Sequence, residues 1–268
     1  MKKSPYFELK EEAWNANLEI PKRNLAIYTW GNVSAFDENK GVFAIKPSGV
    51  AYDELKIEDI VVLDLEGNKV EGNMKPSSDT PTHLELYRAF ALNGKSCGKI
   101  KGITHTHSPY ATSFAQAGKC VPLFGTTHAD HCANAVLCTP LLSETAVNSN
   151  YELETGKLIV ESFKNPPKSF LELCSNLGNL ENLENSPQKD AFTLVPHENP
   201  MVLVCGHGPF TWGENAHKSV YNAAVLEEIC KMAFLTLQIN PNASQLANYI
   251  VQKHYQRKHG KNAYYGQG

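Results

Sequence analysis

The residues best placed to do chemistry lie in Thr104-His105-Thr106-His107, directly after the apolar residues Ile100, Gly102 and Ile103. That run reads as a short strand entering a loop. Side chains in a strand alternate faces, so His105 and His107 would aim two imidazoles at one point. Two neutral imidazoles are half of a first-row metal site. Chance is the competing reading, because a chain with ten histidines can space two of them this way. His207 stands between Gly206 and Gly208 at the end of another β-rich run, where glycines let the backbone bend and leave room around the ring. A packed core histidine is the alternative there. Three converging imidazoles would leave one coordination position open, which makes a Lewis acid rather than a structural clamp.

Asp79 opens a helix, where a carboxylate complements the helix dipole. A fourth metal ligand, or a partner lying beside the ligands, is its other reading. Gly31-Asn32, Ser48-Gly49 and Ser77-Ser78 each offer small residues, backbone N–H groups or hydroxyls beside a strand or helix. Singly each is an ordinary turn. Together they could cradle a phosphate through backbone dipoles, with Lys46 beside the second. Asp130 sits among His and Thr residues, where a turn-stabilising carboxylate is the plain alternative. The basic, aromatic tail from Lys253 reads as a solvated face, since no nucleic-acid module stands behind it.

These groups need a scaffold, and 268 residues with 42% hydrophobic and 20% charged content can build a full-sized core. No break in composition divides the chain, so one domain over residues 1–268 is expected. A formal net charge of -3 argues against a general polyanion binder. We expect no signal peptide at the N-terminus and no bilayer-spanning apolar run. Seven cysteines without a Cys-x-x-Cys pair argue against a disulfide framework and fit a reducing cytoplasm.

Hydrophobic periodicity predicts helices over residues 7–20, 82–92, 109–117 and 215–239. Strands are expected at 25–30, 42–45, 121–124, 158–163, 191–195 and 201–205, with a hairpin over 60–70 and a turn at 151–156. Residues 164–190, rich in Asn, Leu, Glu and Pro, read as an inserted surface excursion. Several strands joined by tight turns, with long helices between groups, imply an α/β fold whose largely antiparallel sheet is covered by helices.

Six segments then occur in one order: Thr29-Trp30-Gly31-Asn32-Val33-Ser34, Ile45-Lys46-Pro47-Ser48-Gly49-Val50, Lys75-Pro76-Ser77-Ser78-Asp79-Thr80-Pro81-Thr82-His83, Thr104 to Ser108, Gly125-Thr126-Thr127-His128-Ala129-Asp130, and His207-Gly208-Pro209-Phe210-Thr211-Trp212-Gly213. In these the chain resembles the L-ribulose-5-phosphate 4-epimerases of the class II sugar-phosphate aldolase superfamily, along nearly its whole length. The resemblance implies a three-layer α/β/α fold and a divalent metal, commonly zinc, with manganese or cobalt as alternatives. It implies that His105, His107 and His207 bind this metal with Asp79 at or near it. Gly31, Asn32, Ser48, Gly49, Ser77 and Ser78 would hold the substrate phosphate, and Asp130 and Tyr265 would be the acid/base pair. It further implies a C4 homotetramer with sites between subunits, His254 near Tyr265, and a small sugar phosphate as partner rather than nucleic acid or membrane.

Three features depart from the pattern: the length of residues 164–190, Cys205 where a second histidine is familiar, and Pro109-Tyr110 after the His-x-His. The implied reaction interconverts L-ribulose 5-phosphate and D-xylulose 5-phosphate by breaking and re-forming the C3–C4 bond. The alternative is a class II aldolase or lyase releasing dihydroxyacetone phosphate and an aldehyde. A non-catalytic scaffold is a third reading, against which all three histidines stand.

Overall fold

Strand residues buried at consecutive positions, rather than at alternate ones, call for a sheet covered on both faces. The computed structural model, which describes residues 3–92, 96–175 and 192–264, has that arrangement. A seven-stranded, wholly antiparallel sheet runs in the order β4-β3-β2-β1-β5-β7-β6. Its strands are β1 (Asn32–Asp37), β2 (Val42–Ile45), β3 (Val61–Asp64), β4 (Lys69–Glu71), β5 (Gly102–His105), β6 (Met201–Leu203) and β7 (Pro209–Gly213). Alternation sorts their side chains between two cores. Val33, Ala35, Val42, Ala44 and Val62 pack with Ala13, Ala16 and Ile20 of helix α1 (Phe7–Lys22). On the opposite face Phe36, Phe43, Ile45, Val61, Leu63 and Ile103 pack with Leu84 and Leu86 of α2 (Thr80–Leu86). The expected α/β class, an antiparallel sheet flanked by helices, is the observed one.

Four further helices precede β6: α3 (Pro109–Gln116), α4 (Thr126–Ala129), α5 (Glu144–Val147) and α6 (Tyr151–Lys164), followed by α7 (Lys168–Ser175). After β7 come α8 (Ala216–Ile239), close to its expected bounds, and α9 (Asn248–His259). None of these helices among the described residues is long and apolar enough to cross a membrane.

Several expected elements are corrected. Residues 25–30 form turns, because Asn24 and Tyr28 take positive φ values of 55° and 54° and interrupt an extended run. The strand begins instead at Asn32. The turn at 151–156 and strand at 158–163 are one helix, α6. Asn150 caps it by accepting from the Leu153 N–H at 3.2 Å, and Thr155, Gly156, Ile159, Val160 and Phe163 are its buried face at helical spacing. Gly156, expected to end a turn, lets α6 lie against α2: a Cβ there would stand 2.8 Å from Glu85 Cβ. Residues 121–124 keep only an isolated bridge, Val121 to Val136, and 192–195 contain no strand. The tail holds a helix, α9, that basic composition concealed. Within 164–190 the described part ends α6 and forms α7, whose Phe170 and Cys174 are fully buried in the core; the rest lies outside the described residues.

Antiparallel pairing brings particular chain ends together. Asn32 pairs with His105 across β1 and β5, and His105 with Phe210 across β5 and β7. The start of β1, the end of β5 and the approach to β7 therefore meet at one end of the sheet. The chain after β2 joins them there, since Pro47 bridges Pro76.

Candidate functional site

The three histidines converge at this sheet end. One ligand-type nitrogen from each of His105, His107 and His207 lies within 4.8 Å of the others. Their ring centroids stand 4.8, 4.8 and 5.2 Å apart. His105 is buried and stacked on Phe210 at 4.2 Å, and its Nδ1–H donates to the Pro209 carbonyl at 2.9 Å. That bond leaves the His105 Nε2 lone pair facing His107 Nε2 at 3.0 Å. His207 Nδ1 meets the Tyr151 hydroxyl at 3.3 Å, which leaves its Nε2 for the centre. Nitrogens around a tetrahedral first-row ion sit about 3.3 Å apart at bond lengths near 2.0–2.1 Å. The cluster therefore fits a divalent metal held by imidazoles.

Glycines make the convergence possible. Gly31, at φ +74°, has its Cα face against the His105 carbonyl, where a Cβ would stand 2.7 Å from the oxygen. At Gly208 a Cβ would stand 2.8 Å from the Thr106 carbonyl. Larger residues at either place would push the β1 or β7 approach off β5.

Electrostatics favour neutral rings beside a carboxylate. Burial, then the neighbouring His105, pushes His107 down to about 4 and His207 to about 3. Burial works against ionisation of Asp79 too, but His105, His83, the Asn32 amide and His207 outweigh it and hold the carboxyl below its usual range. Asn32 Nδ2 donates to Asp79 Oδ2 at 2.6 Å, and its buried Oδ1 has no protein partner among the described residues. Asp79 thus lies in the electrostatic field of the cluster.

The expected phosphate segments are also brought together, though with fewer free donors than composition implied. Ser48 N–H donates to the Lys75 carbonyl and Ser77 N–H to the Lys46 carbonyl, each at 3.0 Å. Those two donors hold the loops to each other. Gly49, at φ +73°, and the exposed side chains of Ser48 and Ser78 remain on the surface of the joined loops. Asn32, expected at the phosphate, donates from its side-chain amide to Asp79.

Lys46, named in sequence only as a neighbour, is 1% exposed, and burial lowers its ammonium to about 8. It stands 5.0 Å from the Tyr52 ring centroid. The signal for it was a lysine closing the apolar run Val42-Phe43-Ala44-Ile45. Tyr151 had no local signal at all.

Among the described residues Asp130 is not joined to the cluster of His105, His107 and His207. Its carboxylate accepts from Arg257 Nε and Nη2 at 3.1 and 2.8 Å and from His254 Nδ1 at 3.0 Å, all on α9. Tyr265 lies outside the described residues.

The sequence model of the Class II Aldolase and Adducin N-terminal domain family matches residues 11–234, and the chain belongs to that family. Among solved structures, the chain is similar to an L-fuculose 1-phosphate aldolase at 22% identity, covering 96% of this chain and 97% of that one with a TM-score of 0.69. It is similar to YgbL from Klebsiella pneumoniae, whose own activity is left open between aldolase, epimerase and decarboxylase, at 20% identity, 94% and 99% coverage and a TM-score of 0.63. An L-fuculose 1-phosphate aldolase from Glaciozyma antarctica PI12 matches at 15% identity, 96% and 86% coverage and a TM-score of 0.65. At these identities the structural matches establish the class II aldolase fold.

Proposed function

We propose that the chain is a metal-dependent sugar-phosphate 4-epimerase that interconverts L-ribulose 5-phosphate and D-xylulose 5-phosphate. The observation that carries the reading is the convergence of His105, His107 and His207 within 4.8 Å, in the field of Asp79. The joined Ser48-Gly49 and Ser77-Ser78 loops supply a place for the phosphate, and we add Lys46 to that group.

The hydrogen at C4 is not adjacent to the C2 carbonyl, so simple deprotonation does not invert that carbon. The C4 hydroxyl is β to the carbonyl, and the C3–C4 bond can break by a retro-aldol step. Because the phosphate is on C5, the fragments are the enediolate of dihydroxyacetone and glycolaldehyde phosphate. A divalent metal on the three imidazoles, zinc in the first instance, would supply Lewis-acid stabilisation of the charge on the C2 and C3 oxygens. The Ser48-Gly49 and Ser77-Ser78 loops hold the aldehyde fragment by its phosphate while its carbonyl turns over. Asp130 and Tyr265 remove and return the C4 hydroxyl proton on opposite faces. Burial raises the Asp130 carboxyl, but Arg257 and His254 outweigh it and hold it below its ordinary range, ionised as a base requires.

Since the described bonds of Asp130 run to α9, we assign it to a site shared between subunits of a C4 homotetramer. Exposed Met232, Phe234, Leu235 and Ile239 on α8 support such an assembly. The seven cysteines are all free thiols, in keeping with a reducing cytoplasm.

The aldolase reading uses the same cluster, and the structural likeness to L-fuculose 1-phosphate aldolase favours keeping it as the second one. The Thr-His-Ala-Asp and Tyr-Tyr-Gly-Gln segments favour epimerisation. Incubation of metal-reconstituted protein with L-ribulose 5-phosphate and, in parallel, with L-ribulose 1-phosphate separates them, since only the 1-phosphate can release dihydroxyacetone phosphate. Conversion to D-xylulose 5-phosphate without accumulated fragments supports the epimerase. Fragment release near the turnover rate rejects it.

A further inference from the structure

Beyond the histidine cluster, at the other end of the β5–β7 pair, a cavity of about 740 Å³ opens between the 98–100 turn, the β7–α8 corner and helix α9. The β5–β7 register places Gly102 and Gly213 at this end and His105 and Phe210 at the other, roughly 10 Å of strand away. Lys99, Lys218, Lys258, His131, His197 and His259 line the cavity against a single carboxylate, Glu214.

The cations are positioned but not neutralised. Lys218 and Lys258 hold their ammonium groups 4.1 and 6.0 Å from the centroid of one ring, Tyr221. His131 donates through Nδ1–H to the Thr127 carbonyl at 2.8 Å, which leaves its Nε2 as an acceptor. The single lone pair of that nitrogen is shared between the Tyr221 hydroxyl at 2.8 Å and the Lys258 ammonium at 3.0 Å. Lys258 therefore spends a proton on a neutral ring. Lys99 does the same, donating to His197 Nε2 at 2.9 Å. Among the described residues no carboxylate lies within 4.0 Å of the Lys99, Lys218 or Lys258 ammonium nitrogen. The Lys218 stem is held in place by the bareness of Gly213, where a Cβ would stand 2.7 Å from Lys218 Cγ. Burial keeps both Lys218 and Lys258 below their ordinary range; Tyr221 and Glu214 pull Lys218 up and the more distant Asp130 pulls Lys258 up, without outweighing it.

We propose that this cavity is an anion site, separate from the histidine cluster, that takes a small phosphate-bearing ligand. A phosphate monoester brings three acceptor oxygens and about −1.5 to −2 charge, which matches several unneutralised ammonium groups. A carboxylate brings two oxygens and one charge and leaves part of the cluster unmet. Lysine serves phosphate as a point charge, so the pair needs no bidentate geometry.

The test is lysine acetylation of the full-length protein in a short pulse of N-hydroxysuccinimide acetate, with each lysine read by mass spectrometry. The arms are inorganic phosphate, glycerol 3-phosphate and acetate, at matched ionic strength. At a ligand concentration about ten times Kd, roughly one site in ten stays open, so Lys218 and Lys258 should be acetylated about tenfold more slowly. The exposed, carboxylate-paired Lys40 and Lys157 should not change. Stronger protection by the ester assigns the site to a phosphorylated metabolite, and stronger protection by the free ion assigns it to inorganic phosphate. Protection no greater than that given by acetate overturns the proposal. Protection of Lys46 alone overturns it too, since phosphate then binds only beside the histidines. Slow labelling of Lys218 and Lys258 in every buffer means that a neighbouring copy covers the cavity, and that also overturns it.

Discussion

Tyr151→Phe isolates one hydroxyl at the edge of the histidine cluster. Tyr151 opens α6, and its oxygen lies 3.3 Å from His207 Nδ1 while the two ring centroids are 5.9 Å apart. Phenylalanine keeps the ring contact and removes only the hydrogen bond. With His207 Nε2 turned to the metal, Nδ1 carries the proton and donates to the tyrosine oxygen. Burial, then Asp79 and Glu152, raises the Tyr151 hydroxyl above its ordinary value, so the partner is neutral at pH 7. A neutral hydrogen bond contributes about 0.5–1.5 kcal/mol, and a length of 3.3 Å places this one in the lower half of that range. At 1.4 kcal/mol per tenfold, we expect zinc affinity to fall about two- to fivefold. Losses of about 10–100-fold on removing such orienting partners mark the upper bound. A competition titration against a chromophoric chelator measures the change, with circular dichroism to show an unaltered fold. Unchanged affinity would mean that Tyr151 does not orient His207. A loss as large as that of His207→Ala would mean that the hydroxyl itself is a ligand. Either result refutes the assignment of Nε2 to the metal.

Asp130→Asn should leave metal content intact and lower epimerisation by about two to four powers of ten, measured by turnover and metal analysis on one preparation; loss of metal would contradict the role. Truncation after Ala263 should spare folding and remove turnover, and retained activity would reject Tyr265 as the second acid/base group. Gly31→Ala should destabilise the fold by about 1–3 kcal/mol, since it adds a contact at 2.7 Å to a left-handed backbone, and should weaken metal binding with it; a thermal melt and chelator titration check both. For Arg257→Gln we expect a loss of about 1–3 kcal/mol at pH 7. Burial would raise the Asp130 carboxyl, but Arg257 and His254 outweigh it and lower it. A depressed carboxylate stabilises the fold above its unfolded value, near 3.9, and that contribution disappears as pH falls through the folded value. The Arg257→Gln deficit in urea melts should therefore shrink as the pH drops below about 4, and a deficit independent of pH would remove Asp130 as the partner.

Much of the site was legible because its signals are local. His-x-His at a strand end and Gly-His-Gly before another need only alternation and backbone freedom to suggest convergence. The long α8 stripe likewise declares itself within a few turns. What was hidden depends on distant neighbours. Residues 158–163 carry Ile159 and Val160 and look extended, whereas the helical period of α6 emerges only once Gly156 is seen packed on Glu85. The Ser48 and Ser77 amides read as free donors until the Pro47–Pro76 bridge shows each loop satisfying the other. Tyr151 meets His207 across 56 residues of chain, a distance no motif spans. Asp130 keeps its expected place in a His- and Thr-rich turn, but its described partners lie on α9, a helix that basic composition disguised as a solvated tail.

X-ray absorption at the zinc edge of reconstituted protein tests the central claim most directly. We expect one ion per chain with three imidazole nitrogens near 2.0–2.1 Å and a remaining oxygen, and collapse of the multiple-scattering imidazole signal in His107→Ala. A shell containing sulfur, which would implicate Cys205, or an ion bound by fewer than three imidazoles, would contradict it.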